Sequence, residues 1–163
     1  MRETIETVDI VEFEPKFAAD FGRLNYEWIE KYFAVERHDR EVLDHPQEYV
    51  IDRGGQIFMA VEGGKAVGTV ALIPAGDDVL ELTKMSVAPE FRGRGIANLL
   101  MKASIEYAAS AGARTVFLES HRKLETAITL YRKFGFVETP LDPNSEYARA
   151  DIRMELAIES GNM

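Results

Sequence analysis

Residues 80–87 read as a strand and residues 96–111 as a helix, and between them the chain runs Arg92-Gly93-Arg94-Gly95-Ile96-Ala97. A strand that turns through two glycines directly into a helix is a narrow prescription. The first N–H groups of a helix have no intrahelical acceptor, and the macrodipole adds partial positive charge at that end. Glycine lets a ligand approach the backbone closely. Together these features make a seat for a phosphate or pyrophosphate. Taken alone, the run has a plainer reading: a tight turn dressed with solubilising arginines. The spacing is not the G-x-x-x-x-G-K-S/T of a P-loop, and no Ser or Thr follows to hold magnesium. The full G-x-G-x-x-G of a dinucleotide fold is also missing.

Composition bounds what such a seat can serve. With 163 residues the chain suits a single domain, 1–163, that buries a real core. It has no cysteine, which excludes disulfides, thiolate zinc sites and a cysteine nucleophile and fits a cytoplasmic location. The first eleven residues are charged and carry no apolar h-region, so they do not read as a signal peptide. No apolar run reaches membrane-spanning length. A net charge of −9 argues against general nucleic-acid binding and favours cationic small molecules. No His/Asp/Glu spacing reads as a metal site.

The remaining elements follow from periodicity. Residues 5–13 alternate as a strand, and Pro15 suits the first turn of a helix. Phe17, Phe21, Leu24, Trp28, Ile29 and Tyr32 recur at helical spacing. A shorter helix over 39–51 is interrupted or restarted at Pro46. Strands 56–61 and 65–73 join around Gly63-Gly64, and strand 80–87 continues the meander. Ile96, Leu99, Leu100, Ala103 and Tyr107 line one face of the next helix, which Gly112 stops. Strand 114–120, helix 124–134 and closing strands 136–138 and 147–158 complete an α/β fold, a mixed sheet with helices on both sides.

Two segments then acquire a common meaning. Ser86-Val87-Ala88-Pro89-Glu90-Phe91-Arg92-Gly93-Arg94-Gly95-Ile96-Ala97 resembles the acyl-CoA motif of the GCN5-related N-acetyltransferase (GNAT) family, Q/R-x-x-G-x-G/A. Arg92, Gly95 and Ala97 stand at its defining positions. Ala127-Ile128-Thr129-Leu130-Tyr131-Arg132-Lys133-Phe134-Gly135-Phe136 resembles the family's A-I-x-L-Y-x-K-x-G-F signature. The resemblance implies the family's splayed mixed sheet, acetyl-CoA as cosubstrate and transfer of the acetyl group to a primary amine. It implies that the loop, Arg92, Gly93, Arg94, Gly95, Ile96 and Ala97, holds the CoA pyrophosphate. It also implies that Met85, Ser86 and Val87 lie along the pantetheine arm, with a backbone N–H near the thioester oxygen. Tyr131 matches the tyrosine that protonates the departing thiolate.

Other assignments remain open at this level. Glu81 and Glu119, at the carboxyl ends of adjacent strands, are the candidate bases, and Glu81 shares strand parity with Thr83, Met85 and Val87. Arg94, Arg122 and Lys123 are candidates for the 3′-phosphate. The family's asparagine ahead of the second signature is absent, and His121 stands in that stretch. Asn25, Tyr26 and Phe33 lie off the helical stripe and suit a substrate wall. Arg149, in an alternating strand 147–153, suits a substrate carboxylate. A non-catalytic acyl-CoA-binding or sensor domain and a simple nucleotide-phosphate binder are the rival readings. The identity of the amine acceptor and the existence of a homodimer are not legible.

Overall fold

The computed structural model describes residues 7–159. Among them, seven strands form one sheet: β1 (Asp9–Glu12), β2 (Gln56–Glu62), β3 (Lys65–Pro74), β4 (Val79–Val87), β5 (Thr115–Ser120), β6 (Val137–Thr139) and β7 (Ile152–Ala157). The helices are α1 (Ala18–Tyr32), α2 (Arg37–Asp44), α3 (Ile96–Ser110) and α4 (Glu125–Lys133). The strand order is β1-β2-β3-β4-β5-β7-β6. Every pairing is antiparallel except β4 with β5. No helix among the described residues is long and apolar enough to cross a membrane.

The central strands are apolar on both faces, so each face takes its own helical layer. Along β3, Ala71 and Ile73 pack under α1 and α2 with Phe21, Leu24, Ile29, Val42 and Leu43. Val70 and Leu72 point the other way, to Ile96, Leu100 and Met101 of α3 and Tyr131 of α4. The seating of α3 depends on Gly68 of β3. A Cβ there would lie 3.2 Å from Ile96 Cγ2, 3.2 Å from the Ser86 carbonyl oxygen and 3.3 Å from Leu100 Cδ1. Gly68→Val is therefore expected to overpack this contact and cost about 1–3 kcal/mol. Urea unfolding measures it, and a variant as stable as wild type would show that α3 can lift off β3 freely.

The pairing of β4 with β3 carries one irregularity that matters for everything downstream. Thr69 faces Ser86 and Ala71 faces Thr83, so two β4 residues, Lys84 and Met85, oppose Val70 alone. This is a β-bulge, and Lys84 takes a left-handed φ of 55° there. The extra residue reverses the alternation. Glu81, Thr83, Lys84 and Ser86 face the α1/α2 side, while Met85 and Val87 pack in the α3/α4 core. The expected common parity of Glu81 with Met85 and Val87 is thus wrong, because a period of two holds only within an unbulged strand.

Several element boundaries also differ. The first strand is confined to Asp9–Glu12, and residues 5 and 6 lie outside the described residues. α2 begins two residues earlier than expected, because the Glu36 N–H donates to Asp39 Oδ2 at 2.8 Å and caps its first turn. After Pro46 the chain continues as a single wide turn, Gln47–Ile51. The last strand starts at Ile152, and residues 147–150 form a turn. The buried face of α3 is Ile96, Leu100, Met101, Ser104 and Ala108, leaving Leu99 41% exposed, and Tyr32 at the end of α1 is 42% exposed.

Candidate active site

β4 and β5 pair over only three rungs: Val79 with Thr115, Leu80 with Val116 and Glu81 with Phe117. Beyond them the strands part. β4 stays bonded to β3 and β5 to β7, so residues 82–87 have no strand on their outer edge among the described residues. The bulge at Lys84 sits in this stretch, where added twist bends the strand away. An unpaired edge offers backbone donors and acceptors to an extended ligand.

The glycine loop stands at the far end of that edge. Gly93 and Gly95 have φ of 77° and 81°, and nothing lies within 4 Å of where either Cβ would sit. Open space therefore adjoins the backbone just where α3 presents its unpaired first N–H groups. The side chains around it are already engaged. Arg92 Nε donates to the Val87 carbonyl oxygen at 3.2 Å. Arg94 is held by Glu62 at 2.5 Å and lies 5.2 Å from the Phe91 ring centre. Ile96 is core, and the Ser86 hydroxyl donates to the Leu24 carbonyl oxygen at 2.7 Å. Any ligand in this loop is met by backbone. The expected phosphate cations are likewise occupied: Arg94 by Glu62, Arg122 by Glu138, and Lys123 by the Tyr32 carbonyl oxygen at 2.8 Å. Lys133, which the sequence left without a role, reaches Asn98 in the first turn of α3 at 2.6 Å.

Glu81 and Glu119 meet on the α1/α2 face. Glu81 is the cross-strand partner of Phe117, and Glu119 lies two residues further on the same side of β5. Burial first, and then the charge of Glu119, push the Glu81 carboxyl up to about 7, while Lys84 and His38 pull against that shift. No described side chain hydrogen-bonds Glu81. Glu119 accepts a 2.7 Å bond from the Ser145 hydroxyl. Glu81 sits near the start of β4, at the fork of the two strands, and not at a carboxyl end. Above it opens a pocket lined by Glu36, Arg37, His38, Glu41 and Glu146.

Beside Glu81 lies a polar network absent from the sequence reading. Lys84 Nζ donates to Asp39 Oδ1 at 2.6 Å and to the Tyr147 hydroxyl at 2.7 Å. Arg149 clamps the same carboxylate with two bonds of 2.7 Å. Arg149 is therefore committed to an internal carboxylate and is not on a strand, so its expected role toward substrate does not hold. One signal was available: Lys84 follows Leu80 and Leu82 in the buried phase of an apolar strand, and a lysine there demands a counter-ion.

Tyr131 occupies the other side of the sheet. It is 9% exposed in the α3/α4 core, its ring 6.1 Å from that of Phe136. Burial pushes its phenol up to about 12, and its hydroxyl has no hydrogen-bond partner among the described residues. Of the expected wall residues only Phe33 stands at the cleft, among His121 at 5.4 Å, Lys123 at 4.1 Å and Arg149 at 5.6 Å. Asn25 is fully buried and bonds the Phe21 carbonyl oxygen at 3.0 Å, and the Tyr26 hydroxyl donates to Asp44 at 2.7 Å. Tyr26 thus ties α1 to α2, and Asn25 is spent on bonds within α1. His121 Nε2 lies 3.3 Å from Asp151.

The chain resembles known proteins in sequence and in fold. Over residues 23–136 the sequence matches the acetyltransferase (GNAT) family. N-acetyltransferase 8 of Rattus norvegicus is 34% identical over 104 residues, 61% of this chain and 47% of that protein, so the chain spans about half the length of this relative. A GNAT-family acetyltransferase from Staphylococcus aureus shares the fold with a TM-score of 0.85 at 18% identity, over 94% of this chain and 100% of that one. The protein yncA of Salmonella typhimurium, solved with its cofactor acetyl-CoA, has a TM-score of 0.75 at 19% identity, over 96% of each chain. The structural likenesses establish the fold, and the sequence match covers more than half of the chain. It belongs to the acetyltransferase (GNAT) family.

Proposed function

We propose that the chain is an acetyl-CoA-dependent N-acetyltransferase in which a primary amine attacks the thioester directly in a ternary complex. The observation that carries this reading is the parting of β4 and β5 after Glu81. The fork lies between an acidic face, with Glu81 and Glu119, and an opposite face with Tyr131. The residues fit acetyl-CoA: open backbone at Gly93 and Gly95, an unpaired strand edge leading from there to the fork, and a buried phenol beyond it. The pyrophosphate would rest on the N–H groups of residues 93–97, and the arm would run along residues 85–87. An N–H of that edge would face the thioester oxygen and stabilise the charge that gathers there.

The acceptor arrives mainly as an ammonium ion, with a pKa near ~10.4 for a lysine-like amine. Glu81, at about 7, is too weak a base to strip that proton in the ground state. Its charge and that of Glu119 hold the cation, and the small neutral fraction attacks. As the C–N bond forms the nitrogen becomes acidic, and its proton passes to Glu81 directly or through water. The C–S bond then breaks while the Tyr131 hydroxyl donates a hydrogen bond to the departing sulfur, and the thiolate takes up its proton on release to solvent. A phenol held near 12 keeps its O–H across the working pH range, and as a weaker acid than a thiol it stabilises the developing charge without giving the proton up outright.

Thiol release from acetyl-CoA across a panel of primary amines tests the activity. Amine-dependent release supports it, whereas acetyl-CoA binding without release under any amine would leave an acyl-CoA-binding domain. Tyr131→Phe removes one hydroxyl and keeps the ring in its packing site. It is expected to lower kcat about tenfold or more, within the usual range of acid–base assistance, with acetyl-CoA affinity little changed. An unaltered kcat, with chemistry rate-limiting, would return Tyr131 to the core.

A further inference from the structure

The Lys84 ammonium ties three elements around the fork together. It belongs to the β4 bulge, Asp39 to the first turn of α2, and Tyr147 to the turn before β7. Lys84 and Asp39 side chains are 2% and 0% exposed. Asp39 also takes both Arg149 bonds and the Glu36 N–H, so its oxygens are fully used. The Lys84 Nζ lies 4.3 Å from the Tyr147 ring centre, a cation–π contact in addition to the hydroxyl bond. A non-glycine residue at φ of 55° is intrinsically disfavoured, and at Lys84 the side chain is held at both Asp39 and Tyr147 while the backbone bears that conformation. Glu81 is placed by its pairing with Ile73 and Phe117, and the bulge sets which side Met85 faces relative to it.

We infer that Lys84 is a positioning residue: clamped by Asp39 and Tyr147, it holds the β4 bulge that sets the backbone at Met85 toward the acyl side while Glu81, earlier on the same strand, stays on the acceptor side. This role rests on the proposed acetyl transfer. It has an electrostatic consequence, since the charged and titratable groups facing Glu81 are Glu119 from β5, Lys84 from β4 itself, His38 from α2, and Glu146 with Tyr147 from the segment before β7. Lys84 and His38 are the two that favour its carboxylate.

Lys84→Met should therefore do two things. It should lower kcat about tenfold or more by releasing the bulge, and it should move the rise of kcat/KM to higher pH, since Glu119 then faces Glu81 without the lysine charge. A merely structural lysine would lower the melting temperature and leave the midpoint of the folded enzyme where it was. Tyr147→Phe keeps the ion pair and removes one acceptor, and it serves if Lys84→Met does not fold; its kcat should fall about threefold or more with KM for acetyl-CoA nearly constant. Amide exchange across residues 82–87 reads the clamp without any turnover, and should speed up in each variant. Wild-type kcat, midpoint and exchange in the variants would overturn the inference. Faster exchange in the variants alongside a wild type inactive on every amine would overturn the catalytic reading instead.

Discussion

Glu81→Gln is expected to cut kcat/KM for the best amine by about two orders of magnitude, and to abolish the rise in activity through about pH 7. The substitution keeps shape and removes the charge that holds the ammonium and accepts its proton. The remaining rate should climb toward higher pH with the fraction of neutral amine, since the amine must then lose its proton unaided. Glu119→Gln should have the smaller effect on rate, and should shift the wild-type midpoint downward by removing the negative charge that raises Glu81. Profiles from about pH 6 to about pH 10 decide between them, and two unchanged curves would leave water and backbone as the proton path.

The same carboxyl ties activity to stability with a definite sign. Burial raises Glu81 from 4.5 to about 7, so between those values the folded chain holds a proton that the unfolded chain has released. Unfolding free energy therefore falls as pH rises through that window, and the loss is complete above it, on the order of 3 kcal/mol. Glu81→Gln lacks that term. It should unfold at higher urea than wild type above pH 7 while the two converge below pH 5. A variant that loses activity and gains no stability at high pH would mean that the carboxyl is solvated in the folded chain.

What was legible in the sequence was what local rules write. Gly93, Gly95, Gly112 and Gly135 all take left-handed φ, and each marks a turn or helix boundary within a residue or two of where its spacing put it. The mixed sheet with helices on both sides, and the meeting of Glu81 with Glu119, followed from element order. What failed was nonlocal. Nothing in a window around Lys84 announces the extra residue of the bulge, and with it the facing of Met85 and Val87 was lost. Arg94 and Glu62 are 32 residues apart, and Arg149 and Asp39 are 110 apart. Each arginine read as free because its carboxylate lies on another element. Tyr26 read as a pocket wall for a related reason. A polar residue off an apolar stripe faces either solvent or a second helix, and α2 is not visible from within α1.

Gly95→Asp is expected to weaken acetyl-CoA binding at least a hundredfold while leaving a folded protein. Gly95 caps α3 at φ of 81°, a conformation that costs most residues about 1–2 kcal/mol and that aspartate tolerates better than most. No neighbour lies within 4 Å of the added Cβ, so the fold loses little. The ligand loses more. The carboxylate occupies the open side of the loop and sets a negative charge against a pyrophosphate, where the helix end had offered only partial positive charge. Gly95→Ala separates the two effects, because it brings the backbone strain and a methyl group but no charge; it should retain most of the affinity. Calorimetric titration of both variants, with thermal melts to confirm folding, tests this. Equal losses in Ala and Asp would trace the defect to backbone geometry, and undiminished affinity in a folded Gly95→Asp would move the pyrophosphate away from this loop.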